Sequence, residues 1–269
     1  MKTLYVSDLD GTLLNKNQIT SEYTNSIINN LISKGIIFSY ATARAFETSS
    51  VVTKGINNCF PVILHNGAYI LDSANGEILL SNFFDNAEKI IRDLTATGIY
   101  PIVFSRNNEC EQFSFIPDKS SLGVLAFASE RINDKRYNAL NSFDEIDYST
   151  VFYITCIDAP DKMKPFYEKY KDIYHCEFQK NIYKKEQWLE IMPKSATKAN
   201  AVIQLKKLLN CDKVICFGDE SNDIDMFKIA DECYAVENAV DELKLIATDI
   251  IDDNNSDGVA KWLESNALC

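Results

Sequence analysis

Short apolar segments alternate with helix-like segments at both ends of this 269-residue chain, and this alternation restricts the fold more than any other feature. The strand-like segments lie at residues 3–7, 36–41, 61–64, 213–217, 233–236 and 249–251. Helix-like segments with apolar residues at helical spacing separate them, the first of them capped by Thr20 or Ser21 and later ones at residues 199–209 and 223–230. This order predicts an α/β fold with a doubly wound parallel sheet and helices on both faces.

The middle of the chain breaks this alternation. Residues 84–188 contain one helix-like run, at 86–97, and aromatic-rich strand-like runs at 100–105, 112–116 and 150–157. Such a block predicts an inserted second α/β domain. The core domain is then built from two separate parts of the chain, residues 1–83 and 189–269.

The overall charge of −12, with no block of Lys or Arg, argues against a nucleic-acid partner, because such proteins need a basic face. The sequence shows no signal peptide and no run of about 18 apolar residues, which argues against a membrane partner. The eight cysteines are scattered without a Cys-x-x-Cys pair, so we interpret them as reduced thiols. We expect a cytoplasmic protein that is a monomer or a weak homodimer.

Polar residues follow three of the predicted strands directly. Residues 8–12 follow the first strand, residues 42–44 the second and residues 218–223 the strand at 213–217. Ligands of a doubly wound sheet bind outside the carboxyl ends of its strands, so we expect these three segments to converge. Lys198, at the start of a predicted helix, can reach the same edge.

The residue types at this edge suit phosphoryl transfer. Asp8 and Asp10 are two positions apart, so one carboxylate can attack phosphorus while the other protonates the leaving oxygen and later activates water. Gly11 permits a sharp turn behind them. Clustered carboxylates repel one another, which predicts a Mg²⁺ ion bound by oxygens of Asp8 and Asp219. Three side chains supply donors to the phosphate: Lys198, Thr42 and Asn222.

Six motifs occur in the order that one known family shows. They are DLDGTLL at 8–14, the Thr at the end of the second strand, NGA at 66–68, LEIMP at 189–193 followed by Lys198, GDESND at 218–223 and DGVA at 257–260. Over nearly its whole length the chain therefore resembles the haloacid dehalogenase (HAD) superfamily, in particular its Cof-type (IIB) sugar-phosphatase branch. The resemblance implies a Rossmann-like core and identifies the inserted block as an α/β cap.

The resemblance also implies a role for each matching residue. Asp8 is the expected nucleophile and Asp10 the general acid/base. Mg²⁺ is expected on Asp8, the backbone carbonyl of Asp10 and Asp219, with Asp223 behind these ligands. The phosphate is expected on backbone amides and polar side chains, namely the Leu9 amide, Thr42, the Ala43 amide, Lys198 and Asn222. The family usually has Gly at the position of Ala43.

Two further residues have two interpretations each. Arg44 either orients its loop or contacts substrate, and Asn66 is either a turn residue or a substrate contact.

Residues 253–264 match the calcium-binding pattern of an EF-hand loop, but an EF-hand needs a helix on each side, and residues 248–251 look like a strand. We therefore predict a turn there, with Asp257 capping a terminal helix.

The leading functional hypothesis is a Mg²⁺-dependent phosphatase of small phosphate monoesters, such as sugar phosphates or related metabolites, with an aspartyl-phosphate intermediate. One alternative is a phosphomutase that uses the same intermediate. The other is a non-catalytic regulator that responds to phosphate or metal.

Overall fold

The computed structural model describes residues 1–57, 59–106, 110–180 and 187–267, apart from the side chains of residues 179 and 180. The chain forms two compact units. Unit 1 combines Met1–Ser81 with Ser195–Cys269, and unit 2 is Asn82–Lys194. Among the described residues, no helix is both long enough and apolar enough to cross a membrane.

The secondary structure is mixed throughout. The strands are β1 Thr3–Ser7, β2 Ile37–Tyr40, β3 Pro61–Leu64, β4 Tyr69–Asp72, β5 Ile78–Ser81, β6 Ile102–Arg106, β7 Glu111–Phe115, β8 Tyr137–Ala139, β9 Val151–Asp158, β10 His175–Lys180, β11 Gln187–Met192, β12 Lys213–Gly218, β13 Glu232–Val236 and β14 Asp249–Ile251. The helices are α1 Glu22–Ser33, α2 Phe46–Val52, α3 Ala87–Thr95, α4 Leu122–Ser129, α5 Pro160–Tyr170, α6 Lys198–Leu208, α7 Ile224–Ile229, α8 Asp241–Lys244 and α9 Gly258–Asn266.

The main sheet of unit 1 confirms the predicted parallel α/β fold. Its strand order is β14-β13-β12-β1-β2, and every neighbouring pair in it is parallel. The central strand β1 is apolar and buried, with Leu4 and Val6 fully inaccessible. β1 has β2 on one side and β12 on the other, so the segments that follow these three strands emerge at the same edge of the sheet.

The strand β3 has a different environment from the one expected. Only a single parallel bridge, from Ala41 to Ile63, joins it to the end of β2. Its other edge pairs with β4 in an antiparallel ladder that continues to β5. The sequence analysis did not predict this hairpin. Its tight turn contains Asn66 at φ 54° and Gly67 at φ 99°, both in the left-handed region.

Side-chain capping explains where α1 begins, but not where α9 begins. Ser21 caps α1 by accepting a hydrogen bond from Thr24 N at 2.9 Å. Asp257 precedes α9 as predicted, but the prediction that its carboxylate caps the helix was wrong. The carboxylate instead accepts hydrogen bonds from the hydroxyls of Ser21, at 2.6 Å, and Thr24, at 2.9 Å. Glu264, the last position of the EF-hand pattern, accepts a hydrogen bond from Tyr23 Oη at 2.6 Å.

Unit 2 has its own sheet and core. The strand order is β10-β11-β9-β6-β7-β8, with antiparallel pairs throughout except for β7 and β8. Buried residues of α3 and α5, among them Ile90, Leu94 and Met163, form one apolar cluster with the sheet residues Ile154 and Leu189. Since β11 continues to Met192 within this sheet, unit 2 ends at Lys194, six residues beyond the end of the predicted block at residue 188.

Candidate active site

The carboxyl ends of β1 and β12 bring the first two aspartates of the site together. Ser7 and Phe217 are register partners in the parallel ladder, and Asp8 N extends it by donating to Phe217 O at 2.9 Å. Asp8 and Asp219 therefore leave neighbouring strands side by side. Asp8, Asp219 and Asp223 each place a carboxylate oxygen within 4.8 Å of the others, and all three residues are buried.

Lys198 joins two of these carboxylates. Thr197 caps α6 by accepting a hydrogen bond from Asn200 N at 3.1 Å, which makes Lys198 the first residue of the helix. Its Nζ donates to Asp8 Oδ1 at 2.6 Å and to Asp223 Oδ1 at 2.7 Å, and the side chain is only 2% exposed. An ammonium group has three donors, so one N–H remains for another acceptor.

Asp223 has a supporting position. One of its oxygens is bound to Lys198, and the other accepts hydrogen bonds from Asp219 N at 3.0 Å and Glu220 N at 3.3 Å. Both oxygens are therefore in use. Asp223 fixes the backbone that carries Asp219 and, at the same time, the ammonium group of Lys198.

Asp8 and Asp219 have oxygens available for a cation. Asp219 Oδ1 accepts a hydrogen bond from Thr12 Oγ1 at 2.9 Å, and Asp8 Oδ1 is bound to Lys198. Within the described parts of the chain, no donor contacts the Oδ2 atom of either residue. Gly11, at φ +79°, leaves space for Asp219, since a Cβ at Gly11 would lie 2.0 Å from Asp219 Oδ2. An all-oxygen set of this kind suits a hard divalent cation.

Burial and mutual repulsion disfavour charge on both carboxylates. Burial raises the pKa of Asp8 to about 7, aided by the negative Asp223 and Asp219 and opposed by Lys198. Burial likewise raises the pKa of Asp219 to about 6, opposed by the hydrogen bond from Thr12. Burial opposes the charge on Lys198, but Asp8 and Asp223 outweigh it and raise the pKa of Lys198. A cation between Asp8 and Asp219 would favour their charged forms.

Two residues of the site had no assigned role in the sequence analysis. Thr12 orients Asp219 through the hydrogen bond described above, and Asn238 holds the turn at Gly11. The Asn238 Nδ2 donates to Gly11 O at 2.8 Å, while its Oδ1 accepts from Asn254 N at 3.0 Å. The sequence feature that could have indicated Thr12 as a site residue is its position directly after a glycine at a strand end. No local pattern marked Asn238, because its partners are far from it in sequence.

Arg44 contacts Asp10 rather than the acidic cluster. Arg44 Nε donates to Asp10 Oδ2 at 2.8 Å, and a terminal nitrogen of its guanidinium donates to Asp10 Oδ1 at 2.5 Å and to Gln18 Oε1 at 2.8 Å. Such a two-point contact fixes the plane of a carboxylate. The backbone of Arg44 is itself held, with its N donating to Thr42 Oγ1 at 3.1 Å and its O accepting from His65 N at 3.2 Å.

The side chains of the remaining predicted site residues make no hydrogen bond to this centre in the described structure. Thr42 is buried, and its carbonyl accepts from Asn66 N at 2.8 Å. The Asn66 Oδ1 is buried and has no hydrogen-bond partner among the described residues. The Asn222 side chain is exposed, and no hydrogen bond in the described structure joins it to Asp8 or Lys198. Leu9 is buried and Ala43 exposed, and the roles of their amides stay predictions.

Known proteins resemble this chain over its full length. The family model of haloacid dehalogenase-like hydrolases matches residues 5–263. The 5-amino-6-(5-phospho-D-ribitylamino)uracil phosphatase YwtE of Bacillus subtilis (strain 168) is 27% identical over 277 residues, covering 96% of this chain and 95% of that protein. The crystal structure of TM0651 from Thermotoga maritima has a TM-score of 0.80 at 25% identity, covering 100% of this chain and 99% of that one. The HAD subclass IIB sugar phosphatase BT4131 has a TM-score of 0.68 at 19% identity, with 99% of both chains covered, which shows the fold alone.

Proposed function

This chain belongs to the haloacid dehalogenase-like hydrolase family, and on that basis we propose that it is a Mg²⁺-dependent phosphatase that transfers the phosphoryl group of a small phosphate monoester to Asp8 and then to water. The observation that carries the proposal is the buried centre in which Lys198 is shared by Asp8 and Asp223, at the carboxyl ends of β1 and β12. A solvated lysine at the start of a helix would not lie between two buried carboxylates.

Asp8 is the nucleophile in the first step. A carboxylate oxygen of Asp8 forms a bond to phosphorus, and the bond from phosphorus to the ester oxygen of the substrate breaks. Lys198 holds Asp8 Oδ1 in place and has one N–H left, which suits a non-bridging phosphate oxygen. The Thr42 hydroxyl accepts a hydrogen bond from Arg44 N, so its proton remains for the same phosphate.

Asp10 moves the proton in both steps. It donates a proton to the leaving oxygen, and in the second step it takes a proton from the water that attacks phospho-Asp8. The attack breaks the bond between Asp8 and phosphorus, releases inorganic phosphate and restores Asp8. Arg44 contacts both carboxylate oxygens of Asp10, so at least one of these contacts has to open for proton transfer.

A magnesium ion fits the oxygen ligands that this acidic cluster offers. Asp8 and Asp219 would hold it, together with the backbone carbonyl of Asp10, and Thr12 and Asp223 would orient Asp219. When bound, the ion offsets the negative charge of the carboxylates and of the phosphate, and it stabilises charge in the transition state. The family membership and the acidic cluster support a divalent cation here.

A small phosphorylated metabolite is the proposed substrate class. The Bacillus subtilis relative is named as a phosphatase of a compound in which phosphate is attached to a ribityl chain. Sugar and sugar-alcohol phosphates therefore belong in the first screen for phosphate release, together with that compound.

The direct test replaces Asp8 by Asn. The amide cannot act as the nucleophile, so we expect turnover with any accepted ester to fall by several orders of magnitude while the fold persists. Asp225→Asn is the matched control, because Asp225 is exposed and its one ion pair among the described residues is with Lys228 on its own helix. Phosphate release by Asp8→Asn within about tenfold of the wild type would refute the assignment of Asp8.

Magnesium dependence is tested separately. Chelation should abolish phosphate release and added Mg²⁺ should restore it, whereas Ca²⁺ should not, since its looser coordination misplaces the phosphate. Full turnover in excess chelator would contradict the proposed cofactor.

A further inference from the structure

Unit 2 contains a cavity of about 560 Å³, a volume in the range of small-molecule binding sites. Four parts of the unit line it: the turn after α3 at Gly98, the segment that leads into α4 at Ser121, the segment from β9 to α5 at Asp158, and Gln187 at the start of β11. All lining residues lie between positions 98 and 187, so none belongs to the acidic centre of unit 1.

The cavity lies at one end of the sheet of unit 2. Asp158 at the end of β9 is the register partner of Gln187 at the start of β11. The chain enters unit 2 beside the opposite end of β9, where Phe84 N donates to Val151 O at 2.9 Å, and it leaves shortly after Met192 at the opposite end of β11. The cavity is therefore a separate site within unit 2.

Gln187 lines this cavity, and its side-chain amide makes little hydrogen bonding. Gln187 is 7% exposed, and within the described residues its side chain makes one hydrogen bond, from Nε2 to Trp188 O at 3.4 Å. Its carbonyl oxygen has no donor there. An amide oxygen that accepts no hydrogen bond from the protein can accept one from a ligand. Ile157, which is 2% exposed, adds apolar surface beside it.

The charge at the cavity is opposite to that of the whole protein. Among the described residues, Lys119 and Lys162 line it together with one carboxylate, Asp158. Asp158 is engaged already, since it accepts hydrogen bonds from Ala159 N at 2.7 Å and from Lys162 Nζ at 3.2 Å. Lys119 lies over the ring of Tyr100 and has no carboxylate partner in the described structure. The described part of the lining therefore has a net positive charge, in a chain whose net charge is −12.

A large apolar side chain is exposed at the same place. Leu122 lines the cavity and is 85% exposed, and Pro160 stands across from it at the start of α5. An inorganic ion alone would leave this apolar surface uncovered. We propose that the cavity binds a small organic anion, in which a carboxylate or phosphate group is attached to an aromatic body. The acidic group contacts Lys119 and Lys162, and the ring covers Leu122.

The test uses the full-length protein and anilinonaphthalene sulfonate, a fluorescent aromatic anion that is not a phosphate ester. We expect saturable binding with one molecule per chain. N-phenylnaphthylamine has the same aromatic body without the sulfonate, and it should bind more weakly, by up to about 25-fold. An exposed ion pair contributes up to about a factor of five, and two such contacts are lost.

Two charge-reversed double variants distinguish binding at this cavity from a general effect of the net charge of the protein. Lys119→Glu with Lys162→Glu should weaken probe binding by at least about tenfold. Lys89→Glu with Lys164→Glu gives the same change in net charge at exposed positions that do not line the cavity, and it should change the affinity less than the first variant does. If the first variant does not fold by circular dichroism, Lys119→Gln with Lys162→Gln replaces it.

Three results would overturn the proposal. They are the absence of saturable binding to the wild type, equal weakening by the two double variants, and displacement of the probe by inorganic phosphate in the presence of Mg²⁺. Asp8→Asn should bind the probe as the wild type does, so this test stands independently of the proposed phosphatase activity.

Discussion

The replacement of Lys198 by Met tests the centre of the site through stability rather than turnover. The side chain is 2% exposed and compensates two buried carboxylates, those of Asp8 and Asp223. Removal of one partner from a buried ion pair costs about 3–5 kcal/mol, because a buried charge is left alone. We expect a loss of this size in the free energy of unfolding of unit 1 at about pH 8 in excess chelator.

The loss should be smaller at lower pH. The pKa of Asp8 is about 7 even with Lys198 in place, and removal of the ammonium group raises it further. A group whose pKa is raised by folding stabilises the protein below its unfolded pKa and loses this contribution as the pH rises through its folded pKa. At about pH 6 Asp8 in the variant takes up a proton, which reduces the cost.

Urea unfolding followed by Trp262 fluorescence measures this effect in unit 1. Trp262 packs against Tyr234, with ring centroids 4.3 Å apart, and a Trp188→Phe background leaves it as the sole tryptophan. Lys206→Met, in the same helix, is the control, because the contact of Lys206 with Asp231 is exposed and contributes less than about 1 kcal/mol. If Lys198→Met costs no more than Lys206→Met at about pH 8, the buried ion pair does not contribute the expected free energy to stability.

Three further predictions concern the same centre. Gly11→Ala should lower both Mg²⁺ affinity and turnover, measured by Mg²⁺ titration of phosphate release, since the added Cβ would lie 2.0 Å from Asp219 Oδ2; an unchanged Mg²⁺ dependence would contradict this. Asp10→Ala should reduce turnover of a sugar phosphate more than that of nitrophenyl phosphate, whose leaving group needs little protonation; equal losses without accumulation of phosphoenzyme would exclude the acid role. In chelator, the urea midpoint of unit 1 should fall as the pH rises through about 6 and about 7, the raised pKa values of Asp219 and Asp8, and a rise over this range would contradict it.

Much of the framework of unit 1 could be predicted from local sequence. The strands Thr3–Ser7, Pro61–Leu64 and Asp249–Ile251 have the predicted bounds, because each is a short apolar run between polar or turn residues. The start of α6 was one residue off, since Thr197 caps the helix and places Lys198 inside its first turn. The hairpin of β3 and β4, which continues to β5, was missed, because β4 and β5 are short and the pairing of β3 with β4 depends on the left-handed turn at Asn66 and Gly67.

The contacts of the site could be predicted less well than its residue types. The strand-end pattern brought Asp8, Asp219 and Lys198 to one edge, but nothing local indicated that Asp223 would use both oxygens to hold Lys198 and two backbone amides. The pairing of Arg44 with Asp10 joins residues 34 positions apart, and it depends on the adjacency of β1 and β2. Side-chain partners across strands follow from register and distance, which a single sequence does not contain.

The division of unit 1 into two chain segments has a consequence for synthesis on the ribosome. Asp8 and Lys198 are 190 positions apart, and β1 receives its partner β12 only after the whole of unit 2 has been translated. Unit 2 is continuous, so it can fold before β12 has been synthesised. During that time one edge of the apolar strand β1 has no partner and is accessible to other nascent chains. A chain halted before Lys213 should therefore contain a folded unit 2 beside an incomplete sheet, and it would depend on chaperones until the last quarter of the protein emerges.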